Sequence, residues 1–183
     1  MNIQNFIERA HRTATEHGFH DKRESNEHWL LLVITEICEA VEAHRKGEFT
    51  GDQHAFMERE HVHPDFNERY EAYMKGSMAE ELADVCIRIF DFMGEIGIME
   101  GDVNSVIELG DGYKDIGNDK SFPEQAFSVI ETITNCWNIP IVCYVVLRAC
   151  MMWARKYKID LEWNIRLKMQ YNENRPKMHG KAY

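Results

Sequence analysis

Proline is scarce, four residues in 183, so long stretches contain nothing that would break a helix. No segment alternates apolar and polar side chains as a half-buried strand would. The longest apolar run, residues 139 to 154, is interrupted by Arg148 and falls short of the ~20 residues that a membrane-crossing helix needs. The opening MNIQNFIERAHR lacks the apolar centre of a signal peptide. Cysteines are few and odd in number, with no CxxC pair: Cys38, Cys86, Cys136, Cys143 and Cys150 all fall in apolar helical stretches and read as small core residues of a reducing compartment. Neither GxSxG nor HExxH occurs, which sets aside two common hydrolase classes. Gly112 and Gly117 stand at P-loop spacing, but Asn118 occupies the lysine position and no strand precedes it, so a P-loop ATPase is not expected. Positive charge is also short. A net charge of −10 argues against a nucleic-acid polymer as partner, because such binding draws its affinity from Lys and Arg neutralising phosphates. A small ligand held through a cation escapes that objection. The expectation is a soluble cytoplasmic protein with no membrane partner.

What is present is the composition of one globular domain, residues 1–183, 44% hydrophobic and 28% charged. The pattern predicts an all-α helical bundle. A first amphipathic helix runs from about Ile3 to His17 and ends at Gly18. A second, about 25–46, is capped by Ser25 or Asn26 and stopped by Gly47. A third, about 77–97, is capped by Ser77. Between these two lies a polar insert, 47–76, broken by Pro64 and closed by Gly76, which reads as short helices; its His61 and His63 read as a stray loop pair. Residues 110–121 read as a flexible connection. C-terminal helices fill about 122–174, and the tail 166–181 is basic, with Arg166, Lys168, Arg175, Lys177 and Lys181 against Glu173.

Two of these helices carry acids where a core face is expected. In LLVITEICEAVEAHRKG, within the second of these helices, Glu36 and Glu39 are i,i+3 neighbours, and Leu32, Trp29 and Ala40 lie within about 40° of Glu36 around the axis. In SMAEELADVCIRIFDFMGEIG a wide apolar arc leaves a narrow ribbon of Glu81, Asp84, Arg88, Asp91 and Glu95, again with two acids i,i+3 apart. Antiparallel packing would bring Glu36, Glu39, Glu81 and Asp84 together. At ~6 Å and an effective dielectric of ~20, each carboxylate pair costs about 3 kcal/mol unless a cation or protons intervene. Oxygen-only donors suit a hard ion, Mg²⁺ above all. The competing reading is a solvated acidic face in which Arg88 forms a ladder with Asp84 and Asp91. On the last helix Lys168 and Asn172 are i,i+4, with Arg175 near its end, so the three can share a face. Trp29, close to the first acid pair, either flanks a ligand or belongs to the core or an interface.

TEICEAVEA followed by EELADVCIRIFDF resembles the ExxE and ExxD signature of MazG-like all-α nucleoside triphosphate pyrophosphohydrolases, relatives of the dimeric dUTPases. The likeness extends through HGFHDKRESNEHW before the first motif and KMQYNENRPKMHGKAY at the end, covering 16–46, 77–98 and 160–181. Thr35 departs from the pattern, since many relatives carry Glu there, and 47–76 and 99–158 exceed the minimal family core. The resemblance implies cleavage of a nucleoside triphosphate between the α and β phosphates. Glu36, Glu39, Glu81 and Asp84 would ligate Mg²⁺, with Mn²⁺ as a substitute, and Glu36 or Glu39 would hold the attacking water. Lys168, Asn172 and Arg175 would hold the substrate, with Trp29 beside the nucleoside, in a homodimer or homotetramer. The alternatives are a di-iron carboxylate bundle, for which Glu58 and His61 form an ExxH pair, and a nucleotide- or partner-binding protein of this fold without activity.

Overall fold

In the computed structural model, which describes residues 2–99, 101 and 119–180, most helices begin at a short polar side chain that accepts a backbone N–H of the first turn. Asn2 starts α1 (Ile3–Glu16), Ser25 α2 (Asn26–Lys46), Asp52 α3 (Gln53–Glu58), Asp65 α4 (Phe66–Tyr73) and Ser77 α5 (Met78–Ile96). Glu124 reaches back to the Ser121 N–H (2.8 Å) at the head of α6 (Phe122–Asn135). Asn138 caps α7 (Ile139–Tyr157), Asp160 caps α8 (Leu161–Glu173), and a 3₁₀ turn, Lys177–Gly180, follows. Gly47 and Gly97 end α2 and α5 with φ of 79° and 72°, backbone that costs a side-chain-bearing residue more than glycine. The described residues are all helical or irregular, and the bundle is all-α. No described helix is long and apolar enough to cross a membrane. The expected connection at 110–121 and the P-loop-like spacing of Gly112, Gly117 and Asn118 fall mainly or wholly outside the described residues.

Helix α5 is the axis. Its buried side chains, among them Met78, Leu82, Val85, Cys86, Ile89, Phe90 and Met93, point in nearly every direction, and it packs against α1, α2, α7 and α8. The chain enters α5 directly beside the end of α2: Met78 N–H donates to the Glu48 carbonyl (2.7 Å) and Ala79 N–H to that of Phe49 (3.0 Å), while Arg88, further along, meets Glu36. Those contacts make α2 and α5 antiparallel. The insert forms α3 and α4, whose Phe56, Tyr70 and Met74 build a second apolar cluster with Tyr171 of α8. Tyr70 and Tyr171 stack at 4.6 Å.

Of the cysteines expected in the core, Cys86, Cys143 and Cys150 are buried, Cys136 is half-buried and Cys38 is exposed. Cys38 lies about 200° around α2 from Glu36, on the side turned away from α5. An apolar neighbourhood in sequence therefore did not place it inside.

Where α1 crosses α5 the approach is close enough that a Cβ on Gly94 would stand 2.5 Å from His11 Cβ. Both atoms are set by backbone, so the helices must separate to admit a methyl group. Gly94→Ala should lower stability by about 1–3 kcal/mol in urea unfolding, overriding the ~1 kcal/mol that helix propensity alone would add. A stabilised variant would contradict this packing.

Candidate functional site

The antiparallel α2 and α5 place three glutamates at one point. Glu36 and Glu39 of α2 and Glu81 of α5 each offer a carboxylate oxygen within 4.8 Å of the others. Glu36 and Glu81 are buried, Glu39 exposed. Burial and the nearby charges of Asp84 and Glu39 push the Glu36 carboxyl up to about 7, against the pull of Arg88, whose Nε donates to Glu36 Oε1 at 3.1 Å. Burial, then Asp84 and Glu80, push Glu81 up to about 9. These groups crowd one another with too little positive charge, the condition a cation relieves. The donors are all oxygen, so the set fits a hard divalent ion such as Mg²⁺.

Asp84 behaves differently from its expected companions. Its Oδ2 lies 2.7 Å from Lys168 Nζ, and it is not part of the glutamate cluster. Arg88 does not form the surface ladder with Asp84 and Asp91; it reaches across to α2. Lys168 is buried rather than part of a solvated basic tail, held between Asp84 and Glu80 and near the rings of Tyr70 (5.7 Å) and Tyr171 (5.4 Å). Burial works against its charge, but the two carboxylates outweigh it and hold its pKa above the ordinary lysine value. Glu80 in turn accepts the Gly76 N–H at 2.5 Å.

Apart from Tyr70, these groups line one cavity of about 290 Å³, together with Asn172 and Arg175. Asn172 Oδ1 is buried there without a hydrogen-bond partner among the described residues. The cavity thus has a glutamate wall from α2 and α5 and a cationic and amide wall from α8. Seven of the residues singled out from sequence, Glu36, Glu39, Glu81, Asp84, Lys168, Asn172 and Arg175, share it. Trp29 does not: it is buried with its ring 4.8 Å from that of His20, outside the lining. Thr35, where relatives of the resembled family carry an acid, turns its hydroxyl back to the Leu32 carbonyl (2.7 Å). Lys181 lies outside the described residues, and Lys177 and Arg166 pair with Asp21 (2.7 Å) and Glu162 (2.6 Å) on the surface.

Glu80 and the tyrosines were missed in the sequence. Glu80 adjoins Glu81 in EEL, so the signal existed, but nothing in the pattern says which acid meets α8. Tyr70 lies in the insert, where periodicity is weak. No protein-family model, curated protein or solved structure matches the chain, and the site is therefore read from its geometry.

The raised carboxyls tie stability to pH. A carboxyl whose folded pKa lies above its ordinary value of 4.5 holds its proton more tightly in the native state, so its contribution is complete below that value and is lost as pH climbs, through about 7 for Glu36 and about 9 for Glu81. With EDTA present, Tm should fall as pH rises from about 5 to about 9. Added Mg²⁺ displaces those protons, so it should raise Tm more at the alkaline end than at the acid end. Equal Mg²⁺ shifts across the range, read by differential scanning calorimetry, would contradict the cluster as a cation site.

Proposed function

We propose that the protein is a Mg²⁺-dependent nucleoside triphosphate pyrophosphohydrolase, releasing a monophosphate and pyrophosphate. The observation that carries this reading is the pairing, across one cavity, of an oxygen-only glutamate cluster with Lys168, Asn172 and Arg175. A divalent cation, when bound, screens phosphate charge and acidifies a coordinated water. Glu36, Glu39 and Glu81 would hold it.

The chain's own residues divide the remaining work. Glu36 is committed to Arg88, whereas Glu39, exposed at the cavity wall, has no side-chain hydrogen bond or ion pair among the described residues. Glu39 is thus the better placed of the two to orient the attacking water and receive its proton. Lys168 and Arg175 supply positive charge to the phosphates, and the unpartnered Asn172 Oδ1 is an acceptor for a sugar hydroxyl or a base N–H. Asp84, here paired with Lys168, would be the fourth residue to hold the ion once substrate phosphates occupied the lysine. The dimer or tetramer belongs to the same proposal, and Trp137, 96% exposed, with Phe127 offers it apolar surface.

The di-iron reading finds less support. Glu58 pairs with His54 (3.2 Å) on the surface, and the clusters able to hold an ion among the described residues include neither Glu58 nor His61.

A panel of canonical and damaged nucleoside triphosphates with Mg²⁺, scored for pyrophosphate against orthophosphate, tests the reaction. Pyrophosphate should be the inorganic product. Because Glu39 is exposed, Glu39→Gln should keep the helical circular dichroism signal while lowering turnover roughly a hundredfold or more, beyond the 10–100-fold typical of groups that merely orient a metal ligand. Wild-type turnover in that variant would overturn the assignment. Nucleotide binding with no hydrolysis of any triphosphate would point instead to a binding protein.

A further inference from the structure

A second set of donors sits where α1, the turn after it and α5 meet. His11 of α1, His20 of the turn and Glu95 of α5 each offer a ligand atom, all within 4.8 Å of one another. The His20 side chain is 8% exposed, and its Nε2 lies 2.7 Å from Asp91 Oδ1, which is also 3.2 Å from His11 Nδ1. In a neutral imidazole that bond puts the proton on Nε2 and leaves a lone pair on Nδ1. Nδ1 is buried and makes no hydrogen bond among the described residues, although Glu95 Oε2 is only 3.0 Å away. The oxygen is near but out of line for an N–H.

Two donors that are close yet not aimed at each other suit neighbouring positions on a shared ion. With metal–ligand bonds of about 2.1 Å, tetrahedral donors stand about 3.4 Å apart, so a shift of a few tenths of an ångström would admit an ion. Asp91 on the far nitrogen completes the carboxylate–histidine arrangement that orients a ligating imidazole. Two nitrogens and a carboxylate select a borderline ion over a hard one.

We propose that His11, His20 and Glu95 bind a transition-metal ion of the Zn²⁺ class at a site separate from the glutamate cluster. The ion clamps α1 and the following turn onto the helix that carries Glu81 and Asp84. Burial opposes a second proton on His20, but Asp91 and Glu95 outweigh burial and hold its pKa above the ordinary value.

The test uses the full chain stripped with EDTA and titrated with Zn²⁺ by calorimetry in excess Mg²⁺, which occupies oxygen-only sites. One equivalent should bind. His11→Ala and Glu95→Gln, at partly exposed positions, should each weaken binding at least tenfold, whereas Glu39→Gln should leave it unchanged. Co²⁺ in place of Zn²⁺ should give visible absorption that both variants lose. Circular dichroism confirms that the variants remain folded. No uptake in excess Mg²⁺, uptake abolished by Glu39→Gln, or uptake indifferent to both His11→Ala and Glu95→Gln would overturn the proposal, the last because the remaining histidines would then be binding the ion.

Discussion

Carboxylates buried against one another between α2 and α5 govern the rest of this molecule. The cavity lining carries Glu36, Glu39, Glu80, Glu81, Asp84 and Asp91 against Lys75, Arg88, Lys168 and Arg175, an excess of two negative charges if every group is ionised. Protons remove part of that excess, as the raised Glu36 and Glu81 carboxyls indicate. One divalent ion removes all of it and leaves the carboxylates ionised. The charge balance thus favours a site completed from outside over a self-sufficient salt-bridge network, and such a network seldom adds stability when buried.

The insert between α2 and α5 has a physical role in this balance. Tyr70 of α4 stacks on Tyr171 of α8, and Gly76, just after the insert's last helix, donates to Glu80. Both contacts hold Lys168 in place: the tyrosine rings face its ammonium and Glu80 accepts from it. The polar insert read from sequence as short helices therefore forms the floor under the cationic wall. Further along, the end of α8 is tied to α1 by Arg9 and Glu173 (2.7 Å), and Met178 N–H donates to the His17 carbonyl (2.9 Å).

Helix positions were legible because capping and stopping are local. Ser25, Ser77 and Gly47 fall where the chain turns, and i,i+3 spacing put Glu36 beside Glu39 on one stripe of α2. What escaped notice depends on which helix faces which. Lys168 stood out in the basic tail but its carboxylate partners did not: it is 6% exposed because α8 lays it against α5 between Glu80 and Asp84. Cys38 shares the composition of its neighbours but not their face. Trp29 lies on the acidic stripe by angle, and its ring turns instead toward His20. The His11, His20 and Glu95 cluster gathers one residue from each of three segments, so no spacing rule could have found it.

The Lys168–Asp84 contact connects the two halves of the proposed reaction. Asp84 shares with Glu80 the role of partner to the buried ammonium, and together they keep it charged at that depth. A phosphate chain brings its own negative charge to Lys168 and makes that partner redundant. Asp84 then repels the glutamates beside it unless it joins them around a cation. Binding of the anion and of the cation should in consequence be mutually reinforcing, because each removes the charge imbalance that the other creates, and the coupling must be equal in both directions. The two i,i+3 acid pairs are therefore not equivalent: Glu36 and Glu39 both belong to the cluster able to hold an ion, whereas Asp84 is held by Lys168.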